Sequence, residues 1–208
     1  MIIIPVPGGM FDSVSYLIGE GGKAVLIDAG VKAESVQAAA KEEKLTIEKI
    51  ILTHGHIDHI TELDNIAALT KAKVYIHIDD EAALRDSRYN ISAFTGKVQT
   101  FECLYEVLRD GSVIRFGELE LKIIHTPGHT PGSICIKVDN NLFSGDTLFC
   151  CGYGRVDLPG GNFEDIYRSI VDKLFALPDE IIVYPGHGNS TTIGEERGTN
   201  PVRQAIEW

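Results

Sequence analysis

Basic residues are scarce in this chain: 19 Lys and Arg stand against 30 Asp and Glu, for a net charge of −11. A field of that sign repels phosphate backbones and anionic lipid surfaces, which argues against nucleic-acid or membrane-surface partners. It leaves room for an anionic small molecule, because divalent cations can reverse the local sign inside a pocket. No run approaches the roughly 20 apolar residues that span a bilayer. The opening MIIIPVPGGMFDS has no basic region and its apolar run is broken at Pro5, so it does not read as a signal peptide. Cysteine is sparse too. Cys103, Cys135, Cys150 and Cys151 are too few to form a disulfide framework in 208 residues, and a cytoplasmic protein with reduced thiols is expected. Apolar residues make up 44% of the chain, enough for one core, so residues 1–208 are read as a single domain.

The first 30 residues alternate apolar and polar positions, and MIIIPVP, SVSYLIG and AVLIDAG read as strands parted by Gly-containing turns. Residues 32–43 have helical composition, and KIILTH is a buried strand ending at His54. A helix over ELDNIAALTK, a strand KVYIHI and a short helix begun by Asp79 and Asp80 follow. Residues 86–101 are irregular and are expected to cover something. VIRF, LELKIIHT, SICIKVD and NLFSGD then repeat the strand-rich opening, and a helix over 163–176 and the strand EIIVYPG close the pattern. Strands and mixed α/β segments in this order suit two mixed sheets packed face to face with helices outside, a four-layer αββα sandwich.

The densest chemistry lies in Thr53-His54-Gly55-His56-Ile57-Asp58-His59, where four potential metal ligands fall in six residues after a buried strand. A lone histidine is usually a solvated turn residue, but four such groups at one strand end are a different matter. His54 and His56, two apart, can point the same way from an extended loop end. Asp58 and His59 then open the next helix, and Gly55 permits close backbone approach. One ion takes three or four ligands, so two ions sharing this loop is the economical arrangement. His129 in HTPGHTPGS, Asp146 in FSGD and His187 in YPGHG each follow a strand and enter a Gly-containing loop. All these residues are expected to converge on one edge of the sandwich.

THGHIDH, HTPGHTPGS, SGDTLF and YPGHG together resemble the successive motifs of the metallo-β-lactamase superfamily over essentially the whole chain. Within it, the sequence is similar to the glyoxalase II (hydroxyacylglutathione hydrolase) branch, in its short single-domain form. The resemblance implies one cation on His54, His56 and His129, a second on Asp58, His59 and His187, and Asp146 bridging them. Imidazole and carboxylate donors suit zinc and tolerate iron or manganese. It further implies hydrolysis of a small-molecule thioester such as S-lactoylglutathione by a hydroxide that Asp58 orients, with Arg155 and Tyr153 as substrate contacts. The C-terminal helical domain of glyoxalase II is not matched. The aromatic residue that the branch carries two positions beyond its basic residue is Asp157 here.

The alternative is a persulfide dioxygenase, which by resemblance needs one iron on His54, His129 and Asp146. The second set of ligands favours hydrolysis. A nuclease of the superfamily fits poorly with the net charge. A flavodiiron reductase would carry glutamate at the place of His56. Asp28 is expected to support a ligating histidine. His77 reads as structural, and His125 as a supporting hydrogen-bonder or an exposed residue. Cys150 and Cys151 read as small buried side chains, and Arg197, Thr199 and Asn200 as residues pinning the tail. Nothing in the pattern marks a subunit interface.

Overall fold

The alternation of the opening strands decides which layer each side chain joins. The structure, a computed structural model, describes residues 1–206. β1 (Ile2–Pro7), β2 (Val14–Glu20) and β3 (Lys23–Ile27) form an antiparallel meander. α1 (Ala33–Glu42) returns the chain so that β4 (Thr46–Ile51) lies parallel to β3. After α2 (Ile57–Ile60) and α3 (Leu63–Thr70), β5 (Lys73–His77) and β6 (Tyr105–Leu108) complete a six-stranded sheet in sequence order.

The second sheet starts with the antiparallel β7 (Val113–Phe116), β8 (Leu119–His125), β9 (Ile134–Val138) and β10 (Asn141–Gly145). A ribbon of β11 (Leu148–Phe149) and β12 (Gly152–Tyr153) and the helix α4 (Phe163–Arg168) lead to β13 (Ile182–Pro185), parallel to β10. β14 (Thr191–Thr192) and α5 (Ile193–Thr199) follow, and the strand order is β14-β13-β10-β9-β8-β7.

Tyr16, Ile18, Val25 and Ile27 face the space between the sheets, where they meet Leu121, Ile123, Ile134, Ile136 and Phe143. The intervening Leu17, Ala24 and Leu26 belong to the layer of Val36, Ala40, Leu63 and Ile66 from α1 and α3. On the far side Cys135, Leu142 and Val183 pack with Ile166, Ile170 and Ile193. Strands buried on both faces read as continuous apolar runs, which is why AVLI and KIIL show little alternation. The expected four-layer αββα sandwich is the observed one.

Both halves contain one unit: a hairpin, a helix, and a strand parallel to the hairpin's second member. It is β2–β3–α1–β4 in the first half and β9–β10–α4–β13 in the second. Asp28 directly follows β3 and Asp146 directly follows β10, while His54 and His187 lie just past β4 and β13. Strands that run parallel end on the same edge, so equivalent positions in the two halves meet there.

Some elements differ from the sequence expectation. The helix over 163–176 is α-helical only to Arg168, then takes a π turn at Ser169–Lys173 and a 3₁₀ turn at Leu174–Ala176. Its buried residues Ile166, Ile170 and Leu174 are four apart and share the face turned to the sheet. The helix after β5 is a 3₁₀ stretch, Ile78–Leu84, capped by the His77 ring accepting from the Asp79 amide rather than by an aspartate. β6, the β11–β12 ribbon, β14 and α5 were not legible, being too short to show a period. No helix among the described residues is long and apolar enough to cross a membrane.

Candidate metal centre

The edge formed by the ends of β4, β8, β10 and β13 carries all seven predicted ligand positions. The rings of His54, His56 and His129 stand 4.6 to 5.0 Å apart. His54, His56 and His129 offer one ligand atom each within 4.8 Å of one another, as do Asp58, His59, Asp146 and His187. Asp146 reaches both groups: its Oδ1 is 3.2 Å from His59 Nε2, and its Oδ2 is 3.6 Å from both His129 Nε2 and His187 Nε2.

Outer partners fix which nitrogen of each ring faces inward. His129 Nδ1 donates to the Arg155 carbonyl at 2.7 Å and His187 Nδ1 to the Phe11 carbonyl at 3.0 Å. His59 Nδ1 donates to Asp28 Oδ2 at 2.8 Å. Thr53 gives its hydroxyl proton to Asp28 and so accepts from His54 Nδ1 at 3.0 Å. These four histidines therefore turn Nε2 to the centre. His56 is the exception, with Nδ1 only 2.8 Å from His129 Nε2.

The donors fit a metal pair on three counts. His54 Nε2 is buried and has no hydrogen-bond partner. An orphaned buried acceptor costs about 1–3 kcal/mol, and a cation removes that penalty. Burial first, then the neighbouring imidazoles, holds His54 well below its ordinary pKa and pushes His56 down to about 3, leaving neutral rings with lone pairs to give. The second group has the opposite character. His59 is fully buried, yet Asp146, Asp58 and Asp28 hold it well above its ordinary value. Despite burial, His59 also holds the Asp58 and Asp146 carboxyls below theirs. Such a cluster calls for positive charge, which a cation supplies.

Local sequence explains the closeness. Gly55 has the Ala83 methyl where a Cβ would be, and Gly186 has Asp146 Oδ1 and the His59 ring there, so neither position has room for a side chain. Backbone bonds tie the sheets together at this edge, from Ile134 N to Thr53 O (2.8 Å) and Val14 N to Gly186 O (2.9 Å), and Gly186 N to Gly145 O (2.8 Å) continues the pairing of β13 with β10.

Asp80 has no distinguishing mark in HIDDE, and sequence reasoning passed over it. It is 4% exposed, and its carboxylate accepts from Gly55 N (2.8 Å), Gly132 N (2.6 Å) and Thr130 Oγ1 (2.7 Å). It thereby joins the loop between His54 and His56 to the loop after His129. Burial raises its pKa against the pull of these three bonds. Asp28 supports the centre as expected, also accepting from Thr53 N at 2.7 Å. His125 stacks on His77 at 4.0 Å and bonds the Pro131 carbonyl at 2.8 Å, so it supports the loop after His129.

The centre floors a cavity of about 400 Å³ whose walls include Phe11, Ile91, Phe149, Tyr153, Arg155 and Leu158. Ile91 comes from the irregular 86–101 segment, which does cover the site. Asn90 anchors that segment, donating to Ala83 O and Gln99 O and accepting from Ile57 N. Tyr153 and Arg155 line the cavity as expected, but the Arg155 guanidinium is held by Asp157 through two 2.7 Å bonds.

The metallo-β-lactamase superfamily sequence profile matches residues 8–187. The chain belongs to that superfamily. Hydroxyacylglutathione hydrolase GloC of Haemophilus influenzae is 35% identical, over 96% of this chain and 95% of the relative. Among solved structures, the BLEG-1 B3 metallo-β-lactamase superposes with a TM-score of 0.91 at 35% identity, over 96% of this chain and 98% of that one. TTHA1623 in a di-iron-bound form gives 0.85 at 32% identity, over 95% and 98%. Membership identifies a metal-dependent enzyme of the metallo-hydrolase type, in keeping with the His/Asp clusters.

Cys150 and Cys151 are exposed, not buried. They occupy the tip of the β11–β12 ribbon, where a two-residue turn leaves no interior to enter. Of the tail residues, Asn200 bonds Gly152 O at 2.9 Å, and Arg197 pairs with Asp179 and the Leu177 carbonyl. Thr199 only caps back onto Glu195 within its own helix and pins nothing.

Proposed function

We propose that this protein hydrolyses a small-molecule thioester of the hydroxyacylglutathione class at a centre of two divalent cations. The observation that carries the reading is the convergence of Asp58, His59 and His187 on Asp146, beside a complete set of three histidines. By resemblance, a one-iron dioxygenase needs only His54, His129 and Asp146.

His54 Nε2, His56 Nδ1 and His129 Nε2 would hold one cation, and Asp58, His59 and His187 the other, with Asp146 between them. Bound there, such a pair supplies hydroxide at neutral pH and a Lewis acid for the substrate carbonyl; zinc, iron and manganese all suit the donors. Asp58 Oδ2 sits 3.2 Å from His187 Nε2 at the cavity floor, where it can orient the attacking oxygen. Outside the cluster, the named walls offer Tyr153 and Arg155 as their only titratable groups, and no carboxylic acid or free imidazole. A thiolate leaves without a general acid and an amide nitrogen does not, which favours thioesters over peptides and lactams. Phe11, Ile91, Phe149 and Leu158 exclude water around the acyl group. The GloC similarity supports the same substrate class.

The test is a paired assay of the purified protein, following thiol release from S-lactoylglutathione and oxygen uptake with glutathione persulfide. Thiol release without oxygen uptake is the expected result. Rapid oxygen uptake with no thioester cleavage would establish the dioxygenase reading instead.

A further inference from the structure

The vicinal pair Cys150–Cys151 has no part in the centre described above, yet it stands at the rim of its cavity. Phe149 and Gly152 pair across the ribbon, so the two cysteines alone form its turn, between the wall residues Phe149 and Tyr153. Cys151 has φ of +57°, the left-handed conformation that a turn normally assigns to Gly or Asn. Holding a Cβ residue there costs on the order of 1 kcal/mol.

The turn is rigidly mounted. Both carboxylate oxygens of the buried Glu196 accept from the Cys151 amide, at 3.0 and 3.1 Å. Thr191 Oγ1 and Asn200 Nδ2 hold the same carboxylate at 2.7 Å each. The two Sγ atoms are 3.9 Å apart, and with a Glu196 oxygen they fall within 4.8 Å of one another. A disulfide requires about 2.05 Å, and closing it across adjacent residues strains the peptide. Two thiolates about 2.3 Å from one tetrahedral ion lie roughly 3.8 Å apart, close to the separation seen here.

The surroundings also attract a cation. The hydrogen bond from Cys150 to Cys151, then slight desolvation and the Cys151 thiol, with smaller effects of Glu196 and Glu195, keeps the Cys150 thiol above its ordinary pKa. The same carboxylates attract a cation, whose binding displaces the thiol protons.

We propose that Cys150 and Cys151 form a third cation site, selective for thiophilic ions such as Zn²⁺ and Cd²⁺, at the mouth of the active-site cavity. Binding replaces two S–H bonds by two metal–sulfur bonds and releases two protons. Only two protein ligands face the ion and the rest of its sphere is open to water. That suits capture and release better than the four-ligand closure of a structural site.

The experiment is a Cd²⁺ titration of protein already loaded at its dinuclear centre, read by the ultraviolet sulfur-to-cadmium charge-transfer band and by metal analysis. Histidine and carboxylate ligands give no such band, so it reports thiolates alone. The wild type is expected to take up one further equivalent with the band. Cys150→Ser and Cys151→Ser should each lose both, while their activity and core metal content are retained. Absence of the band at stoichiometric Cd²⁺, or a band that survives in both variants, overturns the proposal. So does quantitative conversion of the pair to a disulfide by a mild thiol oxidant before any cadmium is taken up. None of these outcomes bears on thioester hydrolysis, which is assayed separately.

Discussion

Replacing Asp80 by alanine removes the carboxylate that joins the two loops carrying His54, His56 and His129. Three donors lose their acceptor, but their fates differ. Thr130 Oγ1 keeps Ser133 Oγ at 2.7 Å, whereas the Gly55 and Gly132 amides are left buried with nothing to bond. At about 1–3 kcal/mol for each unsatisfied buried donor, the expected loss of stability is about 2–6 kcal/mol. A second consequence reaches the centre, because the three histidines of the first cluster then sit on loops no longer joined. Loss of such an outer support typically weakens metal binding about 10–100-fold. Asp80→Asn keeps one acceptor oxygen and should fall between wild type and alanine in both respects. Denaturant unfolding gives the first quantity, and competition with a chromophoric chelator gives the second. Stability within about 0.5 kcal/mol of wild type, together with unchanged metal affinity, would refute the idea that Asp80 fixes the first cluster.

Asp28→Ala should weaken the second cation more than the first, since His59 Nδ1 loses its acceptor outright while His129 keeps the Arg155 carbonyl and His54 is affected only through Thr53; stepwise chelator titration resolves the two. Phe143→Ala, at a fully buried position between the sheets, should cost about 3–5 kcal/mol by denaturant unfolding with metal stoichiometry unchanged. His77 offers a pH test. Burial, then His125, pushes its pKa down to about 4, below the roughly 6.5 of an unfolded histidine. The unfolded chain therefore binds the proton more tightly, so stability falls as pH drops from about 6.5 and levels off near 4. His77→Asn should flatten that part of a stability–pH profile; an unchanged slope would assign it to other groups.

Much of this architecture could be read from the chain, for definite physical reasons. Strands buried on both faces leave apolar runs such as AVLI and KIIL, and the ligands crowd at the ends of those runs, so sandwich and centre were both legible. Supports that act through geometry were harder to see. Asp28 could be inferred because it ends a strand in the same way as Asp146. Asp80 could not, since Asp79 beside it looks identical in sequence and only burial under Gly55, Thr130 and Gly132 separates the two. The exposure of Cys150 and Cys151 follows from a two-residue turn between strands too short to have a period. The pairing of Arg155 with Asp157 depends on loop geometry that composition does not encode. It leaves the guanidinium shared, where a substrate carboxylate would have to compete with Asp157.

The central question is whether the seven residues hold two ions. The direct measurement is metal per chain, by atomic emission, with the exposed Cys150 and Cys151 alkylated beforehand, after equilibration with a small excess of Zn²⁺ and removal of weakly bound metal, for the wild type and Asp146→Ala. The prediction is two ions in the wild type and loss of bound metal in the variant, since Asp146 touches both clusters. One ion or none in the wild type, or two ions retained without Asp146, would contradict the dinuclear centre and the hydrolysis built on it.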